Sequence, residues 1–478
     1  MNNISNSDHE LIVIGSGPGG YAAAFRAADL GIKVSLVEKD SNLGGVCLNR
    51  GCIPSKSLLY ISKIVNETQK ASEIGVKFKS PKLEITKINE WKNSIIKNLY
   101  TGIESLAKRR NVTIINGKAK FISKNELIIS NAEKTMNAKF KNCIIATGSK
   151  SSNISNIKIN HKNIISSKDA LDFKSIPKNM LIIGGGYIGL EMATFYSGMG
   201  SNIDVVEFSS NILSDMDYDL VKTLKRELNS KVSILTETKV IDVKDNINNV
   251  SVSLESSNKE ITKKSYDKIL VCVGREPNTG SLNLSNADIE TNEKGFIEVN
   301  SECRTLTTNI FAIGDITGNP MLAHRATHQG KVAAEVIAGK KRVFEPESIP
   351  YVIFTNPEIA WVGPSEKELQ NKGEKIGIKT FPWQANAKAL TLGCSYGKTK
   401  IIYCKKTHKI FSIGIIGTNA GDLIGEAALA IEMNAFVEDI SLSIHPHPTL
   451  TETIANAAEM IDGTITDLYY PKRKISNH

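Results

Sequence analysis

Cys47 and Cys52 stand five positions apart in the run Gly44-Gly45-Val46-Cys47-Leu48-Asn49-Arg50-Gly51-Cys52-Ile53-Pro54-Ser55-Lys56. Two thiols so spaced, where a glycine-rich loop passes into a helix, can exchange electrons with a dithiol or a disulfide. Pro54 suits a first helical turn, where its missing N–H costs nothing, and the apolar Leu58, Leu59 and Ile61 follow. The positive end of that helix would favour thiolate over thiol at both cysteines, and thiolate is the form that attacks a disulfide. Two plainer chemistries compete. A structural zinc site needs four ligands, and no second cysteine or cysteine/histidine pair of such spacing is present. A static disulfide suits a secreted chain, whereas Cys143, Cys272, Cys303, Cys394 and Cys404 are scattered. Spacing therefore favours a redox pair. Such chemistry also needs a base. In His445-Pro446-His447-Pro448-Thr449-Leu450-Thr451-Glu452, a histidine between two prolines is held in a rigid turn, and Glu452 can orient its ring and raise its basicity. Alone, these histidines could as well be structural; beside a dithiol, His447 is the leading candidate.

Elements must position these groups. Leu11 to Ile14 reads as a strand that enters Gly15-Ser16-Gly17-Pro18-Gly19-Gly20, with a helix from Tyr21 to Leu30 capped by Gly31 and a strand from Lys33 to Val37 that ends in Glu38. Gly15, Gly17 and Gly20 would serve the turn, the approach of a pyrophosphate and helix packing, while Glu38 would accept hydrogen bonds from a ribose. The pattern recurs. Met180 to Ile183 leads into Gly184-Gly185-Gly186-Tyr187-Ile188-Gly189, a helix follows from Leu190, and a strand from Ile203 to Val206 ends in Glu207 at the same spacing from the first glycine. Two tight turns in an α/β sheet explain the glycines Gly184, Gly186 and Gly189, but not the matched acids. The chain is thus expected to bind two dinucleotides. The first unit adjoins the thiols, so its nucleotide should carry a flavin. The second should take a mobile nicotinamide nucleotide; Glu207 would repel a 2′-phosphate, which favours NAD over NADP, and Arg226 lies too far along to replace it.

Other apolar strands end in turns at Ala146-Thr147-Gly148-Ser149 and at Gly274-Arg275-Glu276-Pro277-Asn278, which read as domain hinges or as simple strand ends. Asp315 follows a buried strand and could accept a bond from a ribitol hydroxyl, with a helix from Ala323 to Ala338 beside it. From about Glu345 short β-rich runs and a helix around Gly425 to Met433 indicate a separate α+β domain. At 478 residues the chain should hold about two to four domains. Its 41% hydrophobic and 23% charged residues read as an ordinary globular protein. No apolar run reaches the roughly eighteen residues that would span a bilayer. The opening MNNISNSDH lacks the basic and apolar marks of a leader, which points to a reducing cytosol. The net charge of +9 is spread along the chain, and the short basic run Lys472-Arg473-Lys474 reads as a solvated tail, so nucleic acid is not expected as a partner.

The thiol run and the His-Pro-His-Pro-Thr-Leu-Thr-Glu run together make the chain resemble the flavoprotein disulfide reductases from about Leu11 to Thr464, and most closely those members that oxidise dihydrolipoamide. The resemblance implies an α/β fold with two Rossmann-like dinucleotide-binding domains and a C-terminal α+β dimerisation domain. Its divisions would be an FAD-binding domain (1–150), an NAD-binding domain (151–275), a central domain completing the FAD site (276–348) and an interface domain (349–478). It implies that Cys52 lies nearest the flavin and that Cys47 exchanges with the substrate. His447 and Glu452 would be the acid/base pair, delivered from the other subunit of a homodimer, and Lys56 and Glu191 an ion pair beside the flavin. To the cofactor set it adds Gly117, Thr147, Gly148, Ser149, Gly274, Asp315 and the run Met321, Leu322, Ala323 and His324. The implied activity is oxidation of protein-bound dihydrolipoamide with reduction of NAD, in partnership with the lipoyl-bearing acyltransferase subunit of a 2-oxo acid dehydrogenase complex. Glutathione- or mercuric-reductase-like activity and a chiefly docking role are the alternatives. Against a glutathione reductase, Glu207 stands where those enzymes carry basic residues; against a mercuric reductase, which has a C-terminal cysteine pair, no cysteine follows Cys404. Tyr187 departs from the smaller aliphatic residue of many lipoamide enzymes and stands where glutathione reductases have a tyrosine lid over the nicotinamide pocket; it would either slow NAD entry or, as the favoured expectation, pack against the flavin edge.

Overall fold

Four consecutive apolar residues without alternation, Leu11 to Ile14, suit a strand covered on both faces, and in the computed structural model, which describes residues 7–469 except 155 and 230, all four are buried. The run Lys472-Arg473-Lys474 lies outside the described residues. In chain order, β1 (Ser7–Ile14), α1 (Pro18–Asp29) and β2 (Val34–Glu38) form the first glycine-turn unit. The thiols follow on α2 (Gly45–Arg50) and α3 (Cys52–Lys70), then α4 (Ile85–Arg109), β3 (Thr113–Asn116), β4 (Lys118–Ser123), β5 (Glu126–Ser130), β6 (Thr135–Ile145) and β7 (Ser149–Ser151). The second unit comprises β8 (Ile164–Ser166), α5 (Ser167–Ala170), β9 (Asn179–Ile183), α6 (Tyr187–Gly198), β10 (Asn202–Val206), α7 (Tyr218–Leu228) and β11 (Val232–Leu235). A meander of β12 (Lys239–Asp245), β13 (Val250–Glu255) and β14 (Ile261–Tyr266) precedes β15 (Lys268–Val271) and β16 (Arg275–Pro277). After β17 (Ile310–Ala312) and α8 (Ala323–Ile337), the C-terminal part holds β18 (Tyr351–Ile353), β19 (Glu358–Val362), α9 (Glu366–Asn371), β20 (Ile376–Pro382), α10 (Ala387–Thr391), β21 (Lys398–Cys404), β22 (Ile410–Gly417), α11 (Ala420–Glu432), α12 (Val437–Ser441) and α13 (Glu452–Asp462).

The first sheet runs β3-β2-β1-β6-β5-β4, and β17 joins it beside β6. The segment after the second unit therefore returns to the first sheet, and α8 packs directly against α1. The second sheet, β11-β10-β9-β15-β8, is parallel throughout. Both sheets are doubly wound, which puts the carboxyl ends of their first strands beside the glycine turns, where such folds bind ligands. The two connections between the units are not separate: β7 and β16 pair antiparallel, with Ser149 opposite Pro277 and Ser151 opposite Arg275. The C-terminal sheet, β18-β19-β22-β21-β20, is antiparallel and carries α11 on one face. Among the described residues no helix is long and apolar enough to cross a membrane.

Helix starts differ from the sequence expectation. α1 begins at Pro18 rather than Tyr21, because proline is preorganised for the first helical position, and α6 begins at Tyr187 rather than Leu190. Cys47 lies inside α2 and not in the expected loop.

Candidate active site

A break between two short-range elements brings the sulfurs together. Gly44 (φ 106°) and Gly45 (φ 61°) turn through the left-handed region that glycine alone adopts freely. A Cβ on Gly45 would stand 2.7 Å from the Cα of Gly17, so the thiol run is pressed against the first glycine turn. α2 then carries Cys47, Gly51 interrupts it, and Cys52 opens α3. The two Sγ atoms are 2.7 Å apart. Only Cys52 occupies the helix start expected for both thiols.

That asymmetry divides the pair electrically. The hydrogen bond from Cys47 pushes the Cys52 thiol down to about 7 against the opposing effect of burial, and the Lys56 ammonium adds to the lowering. Cys47 is pushed up, because it gives its proton to that bond and is buried. Lys56 lies one turn beyond Cys52 on the same face of α3. Its Nζ meets both carboxylate oxygens of Glu191 on α6, at 2.8 and 2.7 Å. The Glu191 side chain is 5% exposed, so this bidentate pair spans the two units in partial shelter from water. The backbone N–H of Phe354 also donates to Glu191, at 3.1 Å, and the Phe354 ring lies under Lys56 Nζ, 4.5 Å from its centroid.

A cavity of about 1130 Å³ runs along this centre. Its wall includes Gly15, Gly17, Glu38, Gly117, Cys47, Cys52, Lys56, Thr147, Gly148, Ser149, Glu191, Asp315, Met321 and Ala323, along with Tyr187. The glycines test whether a dinucleotide fits. A Cβ on Gly15 would fall 2.4 Å from the Ala146 carbonyl oxygen and one on Gly20 only 1.8 Å from that of Gly15, whereas one on Gly17 would meet no protein atom within 4 Å. Gly15 and Gly20 are therefore fixed by packing, and Gly17 faces open cavity at the start of α1, where a pyrophosphate would use the helix end. Glu38 accepts from the Ser16 backbone N–H (2.9 Å), the Ser16 hydroxyl (2.5 Å) and the Asp40 N–H (2.9 Å). Asp315 accepts a short hydrogen bond from the Ser149 hydroxyl. These groups fit a dinucleotide whose ribose lies at Glu38 and whose far end reaches Cys52.

The second unit repeats the first in detail. A Cβ on Gly189 would fall 2.1 Å from the Gly184 carbonyl oxygen, and one on Gly186 would meet nothing within 4 Å. Glu207 accepts from the Gly185 N–H at 2.7 Å and the Ser209 N–H at 2.8 Å. Gly184, Gly186, Gly189 and Glu207 are not on the cavity wall, and neither are Gly20, Gly274, Leu322 and His324. Leu322 caps α8, and the His324 ring bonds the Pro350 carbonyl at 2.9 Å. His447 and Glu452 also lie off that wall. His447 Nδ1 meets Glu452 Oε1 at 2.8 Å, and the histidine side chain is 70% exposed. Nearby, His445 is bonded at both ring nitrogens, to Glu426 and to the Ser443 carbonyl.

Sequence reading missed several groups. Arg275 donates to the Ser149 hydroxyl (2.7 Å) and carbonyl (2.8 Å) and so carries on the Asp315 contact. Asn278 and Thr147 exchange hydrogen bonds across the β7–β16 ribbon. Both Arg275 and Asn278 sit in the Gly-Arg-Glu-Pro-Asn turn, which was a visible signal; Phe354 had none beyond its place at the end of the apolar run that forms β18.

The profile of the pyridine nucleotide-disulphide oxidoreductase family matches residues 9–330, and that of its dimerisation domain matches 349–458, which supports a homodimer. Dihydrolipoyl dehydrogenase of Buchnera aphidicola subsp. Schizaphis graminum is 48% identical over 98% of this chain and 98% of its own length. The enzymes of the same name from Vibrio parahaemolyticus and Geobacillus stearothermophilus are 45% and 42% identical, over 97% and 95% of this chain and 98% and 96% of theirs. Among solved structures, the Cu(II) complex of the HOCl-induced flavoprotein disulfide reductase RclA from Escherichia coli superposes with a TM-score of 0.85 at 25% identity, covering 95% of this chain and all of the other.

Proposed function

The chain belongs to the pyridine nucleotide-disulphide oxidoreductase family, and from that premise we infer that it oxidises protein-bound dihydrolipoamide to lipoamide with reduction of NAD to NADH. The observation that carries this reading is the adjacent thiol pair beside a dinucleotide-sized cavity, in a chain with a second dinucleotide turn.

Starting from an oxidised Cys47–Cys52 disulfide, His447 of the partner subunit takes a proton from one substrate thiol. Glu452 of the partner subunit holds that imidazole in the right tautomer. The substrate thiolate attacks Cys47 Sγ, the bond between the cysteines breaks, and Cys52 leaves as thiolate, the form that its helix end and Lys56 favour. The second substrate thiol passes its proton to the departing Cys47 as its sulfur attacks the sulfur bonded to Cys47; that mixed disulfide breaks, lipoamide leaves with a new disulfide, and the cysteine pair has gained two electrons. When bound, FAD supplies the two-electron relay from the thiols to the nicotinamide. Gly15, Gly17, Glu38, Ser149 and Asp315 would hold FAD, while Gly186 and Glu207 would hold NAD and Glu207 would disfavour a 2′-phosphate. The same reading makes a lipoyl-bearing acyltransferase subunit the partner and the cytosol the compartment.

The test is NADH formation by the purified yellow protein from NAD and dihydrolipoamide, with NADP and reduced glutathione in parallel. Turnover confined to NAD and dihydrolipoamide is expected. A flavin-loaded protein whose thiols cycle but which leaves dihydrolipoamide untouched would overturn the substrate.

A further inference from the structure

The C-terminal domain reaches the thiol centre of its own chain at Phe354, just after β18. Two contacts made by this one residue converge on one ion pair: the ring lies 4.5 Å from Lys56 Nζ, and the backbone N–H donates to Glu191 Oε1 at 3.1 Å. An aromatic face attracts a cation through its quadrupole, more strongly where water is excluded. Lys56 is thus held from two sides, by carboxylate and by ring. We propose that Phe354 is a positioning residue for the redox pair, holding the Lys56 ammonium on the face of α3 that carries Cys52, one turn from its thiol.

Three features support this. Lys56 and Cys52 are one helical turn apart, and behind the hydrogen bond from Cys47 the Lys56 ammonium favours the Cys52 thiolate, as it also favours that of Cys47, while Glu191 opposes ionisation of Cys52. Without the ring, Lys56 keeps only its bond to Glu191 and the water it can reach, and the ammonium loses its fixed place. The titratable groups coupled to Cys52 are Cys47 on α2, Lys56 on α3, Glu191 and Tyr187 on α6, and Tyr21 on α1. None of these is altered by substituting Phe354.

The inference rests on Cys47 and Cys52 being the redox pair, and the experiment separates the two claims. Flavin-loaded wild type, Phe354→Leu and Phe354→Tyr are reduced with dithiothreitol, freed of it, and alkylated with iodoacetamide from pH 5 to 10; mass spectrometry of the peptides assigns the modified cysteine. For wild type a Cys52 midpoint near 7 is expected. Phe354→Leu should raise it by about half a unit to one unit, slowing Cys52 alkylation at pH 7 by about two- to sixfold, and Phe354→Tyr, which keeps the ring, should not move it. A wild-type Cys52 that titrates like an ordinary thiol would overturn the redox-pair reading and this role with it. A depressed wild-type midpoint left in place by Phe354→Leu, or moved equally by Phe354→Tyr, would overturn the role alone. If Phe354→Leu does not fold, Phe354→Met, of similar volume and without a ring face, carries the same comparison.

Discussion

Of the two thiols, one is prepared to ionise and the other to keep its proton. Their order follows first from the hydrogen bond that Cys47 donates to Cys52, and then from placement, since Cys52 opens a nineteen-residue helix with Lys56 one turn on. Replacing Cys52 by serine should abolish reaction with dihydrolipoamide yet leave the protein yellow, since the glycine turns and Glu38 remain; lipoamide turnover retained by that variant would remove Cys52 from the scheme. His447→Gln should lower turnover by about a hundredfold or more, because the substrate thiol then loses its base, and the loss should show in kcat. The cysteines, His447, Glu452 and the matched acids Glu38 and Glu207 were all legible as residue types at telling spacings. The Lys56–Glu191 pair came only through the family resemblance, and the contacts of Phe354 and Arg275 were not foreseen, because each joins positions far apart in sequence.

At the level of elements, the glycines of each turn divide into those that the protein's own backbone requires and those that leave space. Gly20 packs its Cα against the Gly15 carbonyl, whereas Gly17 borders only cavity. Gly20→Ala should therefore push α1 off the sheet and reduce both stability and flavin content. Gly17→Ala should leave the unfolding midpoint of the flavin-free protein unchanged and weaken FAD binding; calorimetry with and without FAD separates the two outcomes. Strands were the most legible elements, since unbroken apolar runs such as Leu11 to Ile14 mark strands buried on both faces. Helix starts moved by a turn because the glycine and proline residues that read as loop, Pro18 among them, are already helical. The ribbon of β7 and β16 could not be foreseen, since its strands are three residues each and more than a hundred positions apart.

For the molecule as a whole, the second unit is tied to the C-terminal sheet by a buried cation. Lys400 on β21, 2% exposed, meets Asp217 and Asp219 at 3.0 Å and Glu366 at 3.2 Å. Burial works against its charge, but Asp217 and Asp219 more than offset this and raise its pKa above the usual 10.5. A raised folded-state pKa means that this contribution is complete below 10.5 and is lost only as pH climbs through the raised value. Lys400→Met would leave three carboxylates near one another, of which only Asp217 is largely buried, at a cost of about 1–3 kcal/mol at neutral pH after discounting for the exposure of Asp219 and Glu366. Chemical denaturation should show that loss shrinking as pH falls and the carboxylates take up protons. A loss that grew on acidification would refute this account of the cluster. The split into α/β units and an α+β part could be read from the chain; how the parts are fastened could not.

In gene-fusion terms, the pairing of β7 with β16 makes residues 152–274 a cassette with one doorway. A coenzyme-specificity graft there needs one splice geometry, not two. The incoming piece must match that ribbon, the face of α6 that meets α3, and the carboxylates that receive Lys400. A chimera that satisfies all three should inherit the donor's preference for NAD or NADP while keeping the host's thiols untouched.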